Sequence, residues 1–221
     1  MNLVNEEKRV GHAPADPMSL ADWRRRVAEM YGEIRRLGPA GAPNAWSLFR
    51  STRDDLFTNH PQTALTQKQL TQFNGIPYFD YDPAFRVTGR LNFDVERDSV
   101  AVPIGNDGAL RRSRIAEVHF ELQHTPLRLN LYWIEGYGGG LFLPFNDLTN
   151  GQESFGGGRY LYDAIKGADL GAGTETIPLD FNFSYNPSCS YNNAYVCPLS
   201  PLENRLPIRI EAGERMIAWE K

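Results

Sequence analysis

Apolar residues recur at helical spacing over the first third of the chain and at a spacing of two thereafter. Leu20, Trp23, Val27, Met30, Tyr31, Ile34 and Leu37 fall at intervals of three and four, which predicts an amphipathic helix stopped by Gly38. Ser19 is placed to cap it, with Asp22 three residues on as a weak capping box. Arg24, Arg25, Arg26, Arg35 and Arg36 decorate the remainder, as a solvated face or an anion site. A Pro/Gly/Ala connector over residues 38–43 leads to a second predicted helix from Asn44 to about Phe57. A short third helix is opened by Thr66 with Gln69 as a capping box, carries Leu70 and Phe73 on one face, and is closed by Gly75. Tyr78, Phe79, Tyr81 and Phe85, interrupted by Pro77 and Pro83, form an extended crossing segment.

From Phe85 onward the period is two. Residues 86–93, 95–104, 115–123, 127–134, 140–145, 158–163, 176–184, 206–211 and 214–219 read as short strands bounded by Gly, Pro, Asn and Asp. Residues 105–114 read as a mobile loop. No strand–helix alternation follows residue 85, which disfavours a doubly wound nucleotide fold. The pattern predicts an α+β protein: an N-terminal helical arm packed on a mainly antiparallel β-sandwich or flattened barrel. Residues 1–18 read as a flexible segment, 19–75 as the arm and 76–221 as the β-rich part of one globular unit.

Composition narrows the function classes. The 221 residues carry 23 Lys and Arg against 27 Asp and Glu, a formal charge of −4 that argues against a general nucleic-acid binder. No segment approaches a membrane span of about 18 apolar residues. The N-terminus is polar, without the apolar stretch of a secretory signal. Two cysteines make no disulfide framework. The expectation is a soluble cytoplasmic protein with a small-molecule ligand, and no nucleic-acid or membrane partner. The oligomeric state is not readable.

Candidate chemistry lies in three places. On the hairpin of residues 115–134, Val118, Phe120 and Leu122 oppose Glu117, His119, Glu121 and Gln123, with a turn expected at His124-Thr125-Pro126. Leu127, Leu129, Leu131 and Trp133 likewise oppose Arg128, Asn130 and Tyr132. The polar side is an exposed face with cross-strand pairs or a barrel lumen with His119 as proton carrier or weak metal candidate. Around residue 180, Phe181, Phe183 and Tyr185 alternate with Asp180, Asn182, Ser184 and Asn186, a wet sheet face or a pocket floor. Asp147, Glu153, Arg159 and Tyr160 stand on neighbouring turns with types that suit a polar site. Third, Cys189 and Cys197, eight apart in an Asn/Pro-rich loop, form a reactive or disulfide pair. Gly138–Gly140 and Gly156–Gly158 have neither Walker nor dinucleotide spacing and read as turns, so no nucleotide cofactor is expected and the cofactor stays unknown. His60, in Asn59-His60-Pro61, reads as a helix-ending or packing residue.

Four blocks carry a resemblance: RDDLFTNH with the Thr66 helix, NGIPYFDYDPAFR, LFLPFNDLTNGQESFGGGRYL and LDFNFSYNPSCSYNNAYVCPLSPLENRLPIRIEAGE. Over residues 20–220 the chain resembles the bacterial and archaeal domain-of-unknown-function family numbered 1684. It departs from the pattern at residues 61–65 and at Phe155, where the family commonly has Tyr. The resemblance implies no established activity. It implies that Asp147, Glu153, Arg159, Tyr160, Asp180, Asn182, Asn186, Cys189, Cys197 and Asn204 belong to the family signature, a set rich in polar types. The functional expectation is an enzyme using hydrolase- or lyase-like acid–base chemistry on a polar, anionic metabolite. Glu153 and Asp180 would move protons, Arg159 would hold the anion, and Asp147, Tyr160, Asn182, Asn186 and Asn204 would line the substrate site. The alternative is a non-catalytic ligand-binding or accessory protein in which the same residues form a structural polar network.

Overall fold

The computed structural model describes residues 16–104 and 108–219. Helix α1 (Pro17–Leu37) is capped by Asp16, whose carboxylate accepts the Met18 N–H at 3.1 Å, with Pro17 in the first turn where its missing N–H costs nothing. The expected Ser19 cap is displaced three residues: Ser19 donates its hydroxyl back to the Asp16 carbonyl, and Asp22 is taken by Arg25 and His60. Val27, Met30, Tyr31 and Ile34 form the buried face, and Gly38 ends the helix at φ 56°. Helix α2 (Ala42–Asn59) starts two residues before the expected Asn44 and buries Arg53 among Trp46, Phe49, Leu56 and Phe57. His60 closes it and packs its ring on Trp23. Helix α3 (Gln67–Leu70) shows the expected capping box in both directions.

One antiparallel sheet follows, of β1 (Arg86–Asn92), β2 (Ser99–Pro103), β3 (Ala109–Leu122), β4 (Thr125–Ile134), β5 (Gly140–Phe145), β6 (Arg159–Asp163) and β7 (Thr176–Asp180). The order is β6-β5-β4-β3-β1-β7, and β2 pairs with the first half of β3 beside β1 on the same edge. The sheet curls into a half-barrel, the open form of the flattened barrel, and the class is α+β. A single apolar cluster joins α1 and α2 to the sheet through Tyr31, Phe49, Val118, Leu129, Phe142 and Leu179. Strand β3 begins at Ala109, so most of the expected loop 105–114 is strand, and residues 105–107 lie outside the described residues.

The β3–β4 turn is Gln123–His124, both left-handed at φ 51° and 61°, rather than His124-Thr125-Pro126. A two-residue turn with both φ positive matches the right-handed twist of the strands it joins. Trp133 is exposed while Tyr132 and Ile134 are buried: the buried positions of β4 change parity after Leu131, where the pairing with β3 shifts register between Arg114 and Ala116.

The expected strand 176–184 stops at Asp180, where residues 181–183 turn into a 3-10 helix. The faces expected to alternate wet and dry are all buried from Asp180 to Asn186. Residues 206–219 form no ladder. They run as a strap that starts just after Arg205 bridges Asn146 and is bridged singly at Glu214 to Tyr78. Gly213 in this strap sits at φ 77°, and a Cβ there would meet the Ser184 hydroxyl and carbonyl and lie 2.8 Å from the Phe181 carbonyl. Gly213→Ala is therefore expected to lower stability by about 2–4 kcal/mol, combining a left-handed backbone with overpacking. Urea titration checks this; a variant within about 0.5 kcal/mol of wild type would contradict it.

Candidate functional site

The polar signature residues fall into one buried network. Arg159 opens β6 with no exposed surface. Its Nη2 donates to Asp147 Oδ2 and to the Ile210 carbonyl, each at 2.8 Å. Its Nη1 donates to the carbonyls of Ala212 and, at 3.3 Å, Glu214. Phe145 and Phe79 offer their ring faces at 5.2 and 5.8 Å. Burial draws the guanidinium pKa down while the Asp147 carboxylate opposes it. Asp147 also accepts the backbone N–H of Thr149 at 2.8 Å and of Ile210 at 3.2 Å. Four of the donors expected for a substrate anion are thus committed within the chain.

The amides are committed in the same way. Asn204 accepts the Asn130 N–H at 2.8 Å and donates to the carbonyls of Asn130 and Pro144, closing a gap between β4 and β5. Asn182 exchanges two bonds with the Asp82 backbone and donates to Asp180 at 2.9 Å. Asn186 donates its side chain to the Arg215 carbonyl and its backbone N–H to Glu214. Tyr160 donates to the Pro198 carbonyl, and burial raises its pKa.

Glu153 and Asp180 do not meet. Glu153 pairs with Arg209 at a partly exposed site, whereas Asp180 lines a cleft of about 320 Å³ with Arg35, Arg86 and Phe183. Burial raises the Asp180 pKa, opposed by the Asn182 side-chain and backbone amides and by Arg86, 3.7 Å away. His119 lies half-exposed on the outer face of β3, 3.1 Å from Glu117, which also takes Arg128. That arrangement is the exposed cross-strand face, not a lumen. Among the described residues, no group of three or more His, Cys, Asp or Glu assembles that could hold a metal ion.

Arg53 and Glu214 are among the buried charges that escaped the sequence reading. Arg53 donates to Glu214 at 2.5 Å, and Glu214 also takes the Tyr191 hydroxyl at 2.6 Å and the Asn186 N–H at 2.7 Å. The available signal was Arg53 itself, a charge placed between Phe49 and Phe57 on the apolar stripe of α2.

The cysteines flank a different feature. A pocket of about 460 Å³ opens between the start of α1, the end of α2, the sheet and the loop carrying Cys197. Trp23, Phe57, Leu110, Ile134 and Phe142 give it apolar walls, and Leu20, Ile165 and Val196 leave apolar surface exposed on its lining. Arg24 and Lys166 bring positive charge, the latter 3.5 Å from buried Asp163. Cys189 and Cys197 are free, half-buried thiols. Cys197 Sγ accepts the Cys189 backbone N–H at 3.4 Å. The Cys189 thiol hydrogen bond, the backbone amides of Cys189 and Ser188, and Lys166 pull Cys197 down to about 6 against its burial. The same thiol contact pushes Cys189 far up.

This geometry has relatives. A family model described as a protein of unknown function, DUF1684, matches residues 71–215, a span that takes in the whole sheet, the Arg159 network and both cysteines. The solution NMR structure of an uncharacterised protein of Haloarcula marismortui superposes with a TM-score of 0.56 at 31% identity, over 78% of this chain and 93% of that one. No curated protein matches the chain. Among the described residues no helix is long and apolar enough to cross a membrane. On the family match across most of its length, the chain belongs to the DUF1684 family of unknown function.

Proposed function

We propose that this protein binds a small, largely apolar molecule with an anionic group in the pocket beside Cys197, and that its polar signature residues serve as a structural network. The pocket carries the reading. Its volume of about 460 Å³ lies within the roughly 300–1,000 Å³ of ligand sites, and its walls are mainly apolar. Exposed apolar side chains on the lining favour an apolar ligand body, and Arg24, with Lys166 beside its partner Asp163, favours an anionic end. The network residues have their bonds within the chain, which leaves them little to offer a substrate.

A second reading keeps acid–base chemistry at Asp180, a buried carboxyl with a raised pKa on a cleft that also holds Arg35 and Arg86. Glu153, in its ion pair with Arg209, would not share that cleft's chemistry.

Anilinonaphthalene sulfonate and dodecanoate serve as probes of the pocket. Dodecanoate should bind with a dissociation constant on the order of tens of micromolar and displace the dye. Arg24→Glu and Ile165→Glu, at exposed positions, should each weaken it about tenfold. Non-saturable binding, or variants that bind like wild type, would overturn the pocket reading.

Arg159→Met strands Asp147 as an unpaired buried charge and should cost about 3–5 kcal/mol, read from urea midpoints, while the folded fraction still binds the dye. A loss below about 1 kcal/mol would remove the structural role.

The Asp180 reading has its own signature. The folded protein holds this proton more tightly than the unfolded chain, so stability falls as pH rises from about 4 through the folded-state value. Asp180→Asn keeps the acceptor for Asn182 and removes that slope, so the variant gains on wild type across the window. A pH-independent difference in urea midpoints would exclude a protonated Asp180 and with it the proton-donor role.

A further inference from the structure

We propose that Cys197 and Cys189 form a dithiol site that reduces organic hydroperoxides entering the pocket, with Cys197 attacking and Cys189 resolving. The inference deepens the ligand-binding reading, on which only the choice of an apolar substrate rests.

Three observations assign the roles. Cys197 lines the pocket and Cys189 does not, so Cys197 is the cysteine a ligand meets. Its Sγ accepts the Cys189 backbone N–H at 3.4 Å, with Lys166 on the same pocket wall. Donors converging on one sulfur favour its thiolate, the nucleophilic form. Cys189 is not among the pocket's lining residues, and its backbone N–H reaches the Cys197 sulfur at 3.4 Å, which places it beside the sulfur it would attack. Both thiols are free and half-buried, which shields an oxidised intermediate while leaving a route to it.

The balance is as follows. The Cys197 thiolate attacks the terminal oxygen of the hydroperoxide, forming an S–O bond as the O–O bond breaks. The alkoxide leaves and takes a proton to become the alcohol, and Cys197 becomes a sulfenic acid. The Cys189 sulfur then attacks Cys197, forming the S–S bond as the S–O bond breaks, and water leaves with the Cys189 proton. The dithiol is oxidised by two electrons and the peroxide reduced by two. An external thiol, itself oxidised to a disulfide, returns the pair by thiol–disulfide exchange.

The test treats the folded full chain with hydrogen peroxide and with cumene hydroperoxide and follows intact mass. Wild type should lose two hydrogens to an intramolecular disulfide that dithiothreitol reopens without denaturant. Cys189→Ser should stop at a single added oxygen on Cys197, captured by dimedone, and Cys197→Ser should lose the reaction with peroxide. Iodoacetamide labelling of Cys197 against pH should show a midpoint near 6 in wild type and a higher one in Cys189→Ser. Overturning results are a wild type that forms no disulfide, a Cys197→Ser variant that still consumes peroxide, a labelling midpoint in the ordinary thiol range, or a disulfide that opens only on unfolding. If the pair oxidises but cumene hydroperoxide reacts no faster than hydrogen peroxide and bound dye does not slow it, the pocket reading fails while the dithiol chemistry stands. If the dye binds and neither peroxide reacts, the dithiol inference fails and the pocket reading stands.

Discussion

The structure depends on a guanidinium with no exposed surface. Desolvating a cation costs several kcal/mol, so Arg159 is tolerable only where its hydrogens all but fill with acceptors. The chain supplies one carboxylate, from Asp147, and three carbonyls, from Ile210, Ala212 and Glu214. Those three are alternate residues of the strap, turned to one point as alternate carbonyls of an extended chain are. The side chain thus takes the place of a neighbouring strand. Over residues 210–214 the strap therefore runs extended without a ladder.

Fixing the strap fixes what it carries. Glu214 is delivered to Arg53 of α2, where it also receives Tyr191 and Asn186. The loop of residues 186–198 is therefore tied near its start by Asn186, in its middle by Tyr191, and at its far end by the bond from Tyr160 to Pro198. Gln69 and Asn192 add bonds between this loop and the helical arm. The cysteines lie between these ties. A loop with no regular ladder is in this way held by buried bonds at several points, which is the condition for keeping the Cys189 N–H on the Cys197 sulfur.

How much of this was legible follows from which signals are local. Helix α1, the Gly38 stop and the Thr66–Gln69 box are written in neighbouring residues and were readable. So was the inward stripe Val118, Phe120 and Leu122, since burial of one sheet face imposes a period of two. The cap at Asp16 was misassigned because Ser19 and Asp16 both suit the role, and only Pro17 discriminates. Asp180 to Asn186 carries the alternation of a strand, but the dipeptide-level pattern cannot register that Asn182 bonds the Asp82 backbone a hundred residues away. The signature residues were recognisable as a set from the resemblance. Their destination was not, because whether an Arg or Asn faces a substrate or a strap carbonyl is decided by tertiary proximity. Likewise the pocket beside Cys197 draws its walls from α1, α2, the sheet and the loop, and no single segment announces it.

Hydrogen-bond satisfaction separates the polar residues into two kinds. Asp147, Asn182 and Asn204 have acceptors and donors matched inside the protein, and burial makes each bond costly to give up. Such groups are poor ligand contacts, since binding would first have to break what they already hold. Cys197 is the opposite case. Its sulfur accepts the Cys189 N–H, and the residue lines a mainly apolar cavity. A low local dielectric strengthens that bond relative to water. The same fold therefore uses buried polarity for two ends: a closed network that sets the backbone, and an open pair of thiols whose environment that backbone determines.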